Sequence, residues 1–461
     1  MIPRRVMGIE TEYGLTCAST VGGAPPLDPE EAAQVLFAPI IAQGRSTNTY
    51  LENGARLYLD VGSHPEYASA ECDSIDELVA NDRAGELIFG DLAAQANAKL
   101  AEQGTPGRIH LLKNNMDSAG NSFGCHENYL VRRRPDFRAR ISSMLPFFVT
   151  RQIVAGAGHI HRDEAGHATY EFSQRAYQMW DAISSASTRS RPMINTRDEP
   201  HGDAELYRRM HVIVGDSNIA QPTTALKVAT TEAIVIMIED GGILPDMTLA
   251  DPVAAIRATS TDMTGRARLE LMHGGTITPL DVQKRARDAV LAHFDRRGYL
   301  AELDATRRYL LDLWGRAIRA VETGDFQAIA TEIDWAAKLN LIRRYQERGG
   351  LSLTDPRVAR LELAYADVTS GGLRPAMEKA GLLRTIVDQG ATEAAKSVPP
   401  QSTRAKLRGD FVRDARRMRA DFMVDWMTIR VMDATGSKTV LLKDPFATVD
   451  PRVDELLAGI D

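Results

Sequence analysis

Cysteine is scarce in this chain. Only Cys17, Cys72 and Cys125 occur among 461 residues, odd in number, far apart and without metal-ligand spacing. That excludes a disulfide framework and argues against a zinc site, leaving ordinary thiols of a reducing cytoplasm. Long apolar runs are also missing. The best, Ala233-Ile234-Val235-Ile236-Met237-Ile238, stops at Glu239-Asp240 and is far too short to span a bilayer, so no membrane partner is expected. Met1-Ile2-Pro3-Arg4-Arg5 has no apolar segment behind it, which predicts no secretory signal and a cytoplasmic location. Basic excess is lacking too. With 55 Lys and Arg against 62 Asp and Glu the net charge is -7, a poor match to a phosphate backbone, and no nucleic-acid partner is expected. There is no Walker loop, no Gly-x-Ser-x-Gly elbow and no dinucleotide fingerprint. A nucleotide bound here would be held by metal ions and arginines on a sheet.

What is present is a composition of 44% apolar and 25% charged residues, ample for a large core in one big and one small domain or in two to three ordinary ones. Alternation predicts strands over 6–16, 53–61, 108–112, 127–131, 169–172 and 211–215. Helices are expected over 29–38, 74–103, 145–155, 223–239 and 279–296, with 300–347 largely helical. Ser74 is the expected N-cap of the second, with Glu77 three residues on. Strands early and helices late predict an α+β fold with a mainly antiparallel sheet. Pro399-Pro400 mark a linker over 394–402, followed by a basic helix over 403–419 and a short strand-like tail reaching Phe446.

Arg56, Tyr58 and Asp60 alternate with Leu57, Leu59 and Val61, so a cation, a phenol and a carboxylate share one strand face. A Gly62-Ser63-His64-Pro65 turn then leads to Glu66. Such a face suits the floor of a site, because arginine holds phosphate and carboxylates hold magnesium or take protons; a half-buried edge strand with a solvated face is the alternative. Glu10 and Glu12 point the same way and repel unless a cation or proton lies between them, although a solvated face explains them as well. His126-Glu127-Asn128 could add ligands, or His126 could belong to a turn leading into a strand. Arg189, Arg191, Arg197, Arg208 and Arg209 crowd one span near His201 and His211. They suit phosphate or carboxylate binding, or salt bridges to Asp198, Glu199, Asp203 and Glu205. Trp426 could stack on a base or fill a core.

Met7-Gly8-Ile9-Glu10-Thr11-Glu12-Tyr13-Gly14, residues 53–72, 113–129, 187–201 and 207–218, Thr331-Glu332-Ile333-Asp334-Trp335 and Val424-Asp425-Trp426 together resemble the Pup–protein ligase family. The likeness runs from near residue 4 to the C-terminus. That family is related to glutamine synthetase and γ-glutamyl-cysteine ligase. The resemblance implies a large glutamine synthetase-like domain, 1–395, whose curved, mainly antiparallel sheet is backed by helices, and a small C-terminal domain, 396–461. It implies an ATP- and Mg2+-dependent ligase that joins the side-chain carboxylate of the C-terminal glutamate of Pup to lysines of target proteins through a γ-glutamyl phosphate, tagging them for proteasomal degradation. By resemblance Glu10, Tyr58 and Glu66 are magnesium ligands, Arg56 and Ser69 contact ATP, Trp426 contacts adenine, and Asp60 is the catalytic base.

Two departures stand out. Ser69 replaces the family's usual threonine but keeps the hydroxyl. Ala366 replaces a usual histidine, and the loop Ser370-Gly371-Gly372-Leu373-Arg374 is shorter than the family's and lacks its aromatic residue. Two further readings share the fold. A depupylase or deamidase typically has an extended loop after the first strand, whereas residues 15–26 are short here and Asp60-Val61-Gly62-Ser63-His64 follows the ligase pattern. A non-catalytic Pup-binding relative would have no need of intact Glu10, Asp60 and Glu66.

Overall fold

The polar and apolar residues of the early segments alternate, and pairing of these segments sorts the two kinds onto opposite faces of one sheet. In the computed structural model, which describes residues 2–42, 46–60, 62–117, 120–186, 190–433 and 436–460, this sheet has eight strands. In chain order the strands are β1 (Met7–Glu12), β2 (Gly14–Ser19), β3 (Asn48–Tyr50), β4 (Arg56–Asp60), β5 (His64–Ala68), β6 (Gly107–Leu112) and β7 (Cys125–Arg132). They continue with β8 (His159–Arg162), β9 (Ala168–Glu171), β10 (Asp181–Ser184), β11 (Pro192–Asn195) and β12 (Tyr207–Val212). The main sheet runs β10-β11-β12-β7-β1-β5-β4-β3, antiparallel except for β10 beside β11. A mainly antiparallel α+β fold is therefore observed.

One face of the sheet presents Glu10, Glu12, Arg56, Tyr58, Asp60, His126, Asn128, Arg209 and His211, with Ala68 and Leu130 the apolar residues in register among them. The other face buries Met7, Ile9, Leu57, Tyr67, Tyr129, Met210 and Val212. Behind it lies the helix Gln221–Glu239, with every residue from 221 to 238 buried. Its apolar run is thus the middle of a core. No helix among the described residues is long and apolar enough to cross a membrane.

The long helix Ile75–Glu102 starts as predicted, with Ser74 Oγ accepting from Glu77 N at 3.1 Å. Other boundaries differ. The strand expected over 6–16 breaks at Tyr13, whose N–H donates to Pro65 O at 2.9 Å, and β2 then leaves to pair with β6. The turn expected at 62–65 is tighter. Gly62 and Ser63 adopt φ of 85° and 63°, and His64 already lies in β5, opposite Asp60. Val61 lies outside the described residues, as do Thr188 and Arg189 of the arginine-rich span. The strand expected over 211–215 comes earlier, as β12, with Ile213 N bonded to Met193 O of β11 just past its end. The altered segment at 366–374 runs beside β6, with Lys113 N bonded to Ala366 O and Val368 N to Leu111 O. Its Arg374 is buried, paired with Glu86 and donating to Ile219 O.

The chain ends in a smaller domain. A three-stranded sheet of β15 (Asp421–Val424), β16 (Thr428–Asp433) and β17 (Gly436–Leu441), numbered after the small hairpin β13 (Leu269–Glu270) and β14 (Thr276–Ile277), packs with the helices Ala405–Arg417 and Pro451–Ala458 around Phe411, Ile429, Val440 and Leu456. The final helix was not foreseen. Not all the charge of the basic helix faces solvent: Arg404 and Arg408 turn inward and converge on Glu71, just after β5. Arg408 also donates to Gly54 O at 2.8 Å and Arg404 to Leu442 O at 2.8 Å. Burial opposes ionisation of Glu71, but the two guanidiniums outweigh it and hold the carboxyl down to about 2. Removing one partner of such a pair leaves a buried charge exposed to low dielectric. Arg408→Ala is therefore expected to cost about 3–5 kcal/mol in urea unfolding; a loss under ~1 kcal/mol would show that this contact does not hold the domains together.

Candidate functional site

Hydrogen-bond register, not sequence proximity, assembles the site. Glu10 stands opposite His126 on one side and Ala68 on the other; Glu12 stands opposite Glu66, which itself faces Tyr58. Two groups of ligand atoms result, each lying within 4.8 Å of one another: Glu10 with His126 and His211, and Glu12 with Asp60 and Glu66.

The two groups differ in charge balance. Glu10 accepts from Asn128 Nδ2 at 3.0 Å and meets His126 Nδ1 at 3.2 Å, with Arg209 and His211 each 3.8 Å away. Burial works against its ionisation, but the His126 hydrogen bond and the His211, His126 and Arg209 charges prevail and hold it well below the usual carboxylate range. His211 is pushed down to about 3, first by burial, and both of its ring nitrogens are buried without a hydrogen-bond partner. Glu66 is the opposite case. It is 2% exposed, and burial, then Glu10 and Glu12, push its carboxyl well above the usual range, against a hydrogen bond from Tyr58. Its Oε1 is buried with no partner. An orphaned carboxylate oxygen beside two further carboxylates suits a hard divalent cation, which takes oxygen ligands. Burial, Glu10 and Glu66 keep the Tyr58 phenol protonated, and the Arg56 guanidinium lies 4.2 Å over its ring.

At the other end of the same strands a cavity is lined by Gly8, Glu10, Ser69, His201, Arg404 and Trp426, among others. Ser69 Oγ accepts from Ile9 N at 3.0 Å and donates to Ala70 O at 3.1 Å, so this hydroxyl shapes the cavity wall. Trp426 is half-buried, edge-on to Tyr50 at 5.2 Å and 4.9 Å from the Arg408 guanidinium. Arg56 donates to Asn48 Oδ1 at 2.8 Å.

Of the residues predicted from sequence, Glu10, Tyr58, Asp60 and Glu66 come together on one face, Ser69 and Trp426 share the cavity, and Arg56 lies over Tyr58. His126 belongs to β7 and faces Glu10, so the turn alternative does not hold. Glu127 faces the back of the sheet and pairs with buried Arg151 at 2.5 Å. Most of the arginine-rich span follows its salt-bridge alternative: Asp198 pairs with Arg133 and Arg208, and Glu199 with Arg197 and Arg209. Glu12 and His211 gain importance that only register could give, because their partners lie on other strands.

This face of carboxylates and imidazoles, with a cavity at one end, belongs to a chain whose similarity to known ligases over almost its whole length places it in the glutamine synthetase-like carboxylate–amine ligase superfamily. Within that class the chain belongs to the Pup-ligase family: a family profile described as "Pup-ligase protein" matches residues 5–430. The chain is 51% identical over 458 residues to a Pup–protein ligase of Saccharomonospora viridis, covering 99% of this chain and all of the relative. It is 50% identical over 461 residues to one of Sanguibacter keddieii, covering both chains fully. Among solved structures it is similar to the ligase PafA in complex with the prokaryotic ubiquitin-like protein Pup, with TM-score 0.93, 42% identity and 99% and 92% of the two chains covered. It is also similar to PafA in complex with ADP, with TM-score 0.83, 41% identity and 95% and 96% coverage.

The state of Glu66 has a thermodynamic consequence. A carboxyl raised on folding contributes stability below the unfolded value near 4.5, and that contribution is lost as pH rises toward the folded value. In chelator at neutral pH, Glu66→Gln is therefore expected to stabilise the protein, because the amide puts no charge in that buried position. Thermal melting between pH 5 and 8 checks this, and an unchanged or lower melting temperature would contradict it.

Proposed function

We propose that this chain is the ATP-dependent ligase that joins the side-chain carboxylate of the C-terminal glutamate of Pup to lysine amines of target proteins, marking them for proteasomal degradation. The observation that carries the reading is the placement of Asp60 beside Glu12 and Glu66 at one end of the sheet, with the Trp426 cavity at the other. Adenine would lie in that cavity against Trp426, with Ser69 in its wall and Arg56 toward the phosphates. Glu10, Tyr58 and Glu66 would hold magnesium, Tyr58 through a neutral oxygen, and the bound ion supplies charge stabilisation for the transferring phosphoryl group. The catalytic domain would comprise 1–395 and the small domain 396–461.

Two steps follow. A carboxylate oxygen of the terminal glutamate attacks the γ-phosphorus of ATP; an O–P bond forms, the bond to the β-phosphate bridging oxygen breaks, and ADP leaves. Arg56 would offset charge as it spreads over the phosphoryl oxygens. A lysine of the target then attacks the acyl carbon. Lysine is almost wholly protonated near neutral pH, so a base must take the proton, and Asp60 at the end of β4 would be that base. The C–N bond forms, the C–O bond to phosphate breaks, and inorganic phosphate leaves.

The purified protein with ATP, magnesium, Pup ending in glutamate and a lysine-bearing target is expected to yield a larger conjugate. Loss of a preformed conjugate would instead establish the depupylase reading. Asp60→Asn is expected to lower the conjugation rate by at least ~100-fold, in the range of a lost general base, while nucleotide affinity is retained. Conjugation at the wild-type rate would remove Asp60 from that role.

A further inference from the structure

Arg56 stands at the outer end of the carboxylate face with two partners of opposite kind within reach. Register places it opposite Tyr50 on β3 and Ala68 on β5. Its diagonal neighbours on the same face are therefore Asn48 on one side and Glu66 on the other. Glu66 carries a bare, buried oxygen, toward which a guanidinium is attracted. Arg56 turns the other way. Its Nε donates to Asn48 Oδ1 at 2.8 Å, and the guanidinium lies 4.2 Å over the ring of Tyr58. Among the described residues Arg56 forms no ion pair, and its two terminal nitrogens make no hydrogen bond.

Asn48 is itself fixed. It opens the edge strand β3, where Ser46 Oγ accepts from its N–H at 3.2 Å and donates to its carbonyl at 2.7 Å. Across four strands it heads the row Asn48, Tyr58, Glu66, Glu12. Tyr58, second in that row, donates its hydroxyl to Glu66, so the phenol rather than the guanidinium meets the acid. On its outer side Arg56 lines a groove with Asn48, Tyr50, Arg416 and Trp426, which leaves its terminal nitrogens accessible. A free arginine side chain spreads over many rotamers, and fixing it beforehand lowers what binding costs.

The chemistry of the holder matters. A carboxylate at position 48 would hold Arg56 as well, but would cancel the charge that a phosphoryl group needs to meet. An aliphatic side chain would leave the guanidinium free to swing to Glu66 and take the place of a cation there. An amide oxygen accepts a hydrogen bond without adding charge, and does neither. We propose that Asn48 is a positioning residue, which holds the Arg56 guanidinium away from Glu66, its charge uncancelled, for the terminal phosphate of ATP. This assignment rests on the ligase reading above, in which Arg56 lies toward the phosphates.

The test measures ATP and ADP affinity by calorimetry, with conjugation kinetics alongside. Asn48→Ala is expected to lose about 10-fold in ATP affinity, the low end for a hydrogen bond to a charged group, and at most about 3-fold for ADP. Asn48→Asp keeps the acceptor, so a residue that merely supports β3 would tolerate it. Here it is expected to lose at least as much ATP affinity as Asn48→Ala. In an Arg56→Gln background neither change should matter by more than about 2-fold, because the group that Asn48 holds is gone. Melting temperatures report on the fold, and if Asn48→Ala does not fold, Asn48→Asp with and without Arg56→Gln decides. Wild-type ATP affinity in Asn48→Asp, equal losses for ATP and ADP, or losses that persist in Arg56→Gln would overturn the assignment. No conjugate from a protein that binds ATP in this Asn48-dependent way would overturn the ligase reading and spare the assignment. Absence of ATP binding would overturn both.

Discussion

Mutual repulsion among Glu10, Glu12, Asp60 and Glu66 is the constraint around which the sheet is organised. Like charges at this spacing do not all ionise unless cations stand among them. The protein answers it in two ways. Around Glu10 it supplies its own donors, His126 and Asn128 on the neighbouring strand, with Arg209 on the next. Around Glu66 it supplies only the Tyr58 hydroxyl and leaves one oxygen bare. The imbalance is local because the back of the sheet is apolar, with its buried acid Glu127 satisfied by Arg151 and Tyr129. Need for a cation is thereby confined to one patch.

The second organising contact is electrostatic as well. Glu71 follows β5 directly, and its two arginines come from the C-terminal helix. Arg408 stacks near Trp426 while bonding Glu71, and Arg404 lines the same cavity while bonding Leu442 O. Docking of the small domain and shaping of the cavity therefore use the same side chains. A change that loosens one disturbs the other, which explains why charge in this helix points inward.

Much of this was legible in the sequence. Alternation at Glu10 and Glu12, and at Arg56, Tyr58 and Asp60, correctly placed each set on one face, since a period of two is local information. What alternation leaves open is register. The pairing of Glu66 with both Glu12 and Tyr58, and of Asn128 with His211, depends on which strands neighbour one another. His64 and Pro65, the first two residues of β5, read as part of a turn because Gly62 and Pro65 are turn formers, yet Pro65 sits where a carbonyl, accepting from Tyr13, is all the backbone must provide. The arginine-rich span misled for a related reason: sequence shows the density of charge but not that Asp198 and Glu199 fold back onto it.

The segment from Asp367 to Arg374 is moored at both ends, by His110 and the edge of β6 at one and by Glu86 at the other. Between the moorings Ser370 and Gly371 are exposed, and none of the segment's hydrogen bonds reaches the carboxylate face. Ser370 can be replaced or extended there without shifting a strand, whereas Gly371 and Gly372 lie too close to Asp367 to take a side chain. For the experimenter it is a graft point, where a short tag or a fluorophore can ride on the protein as a passenger.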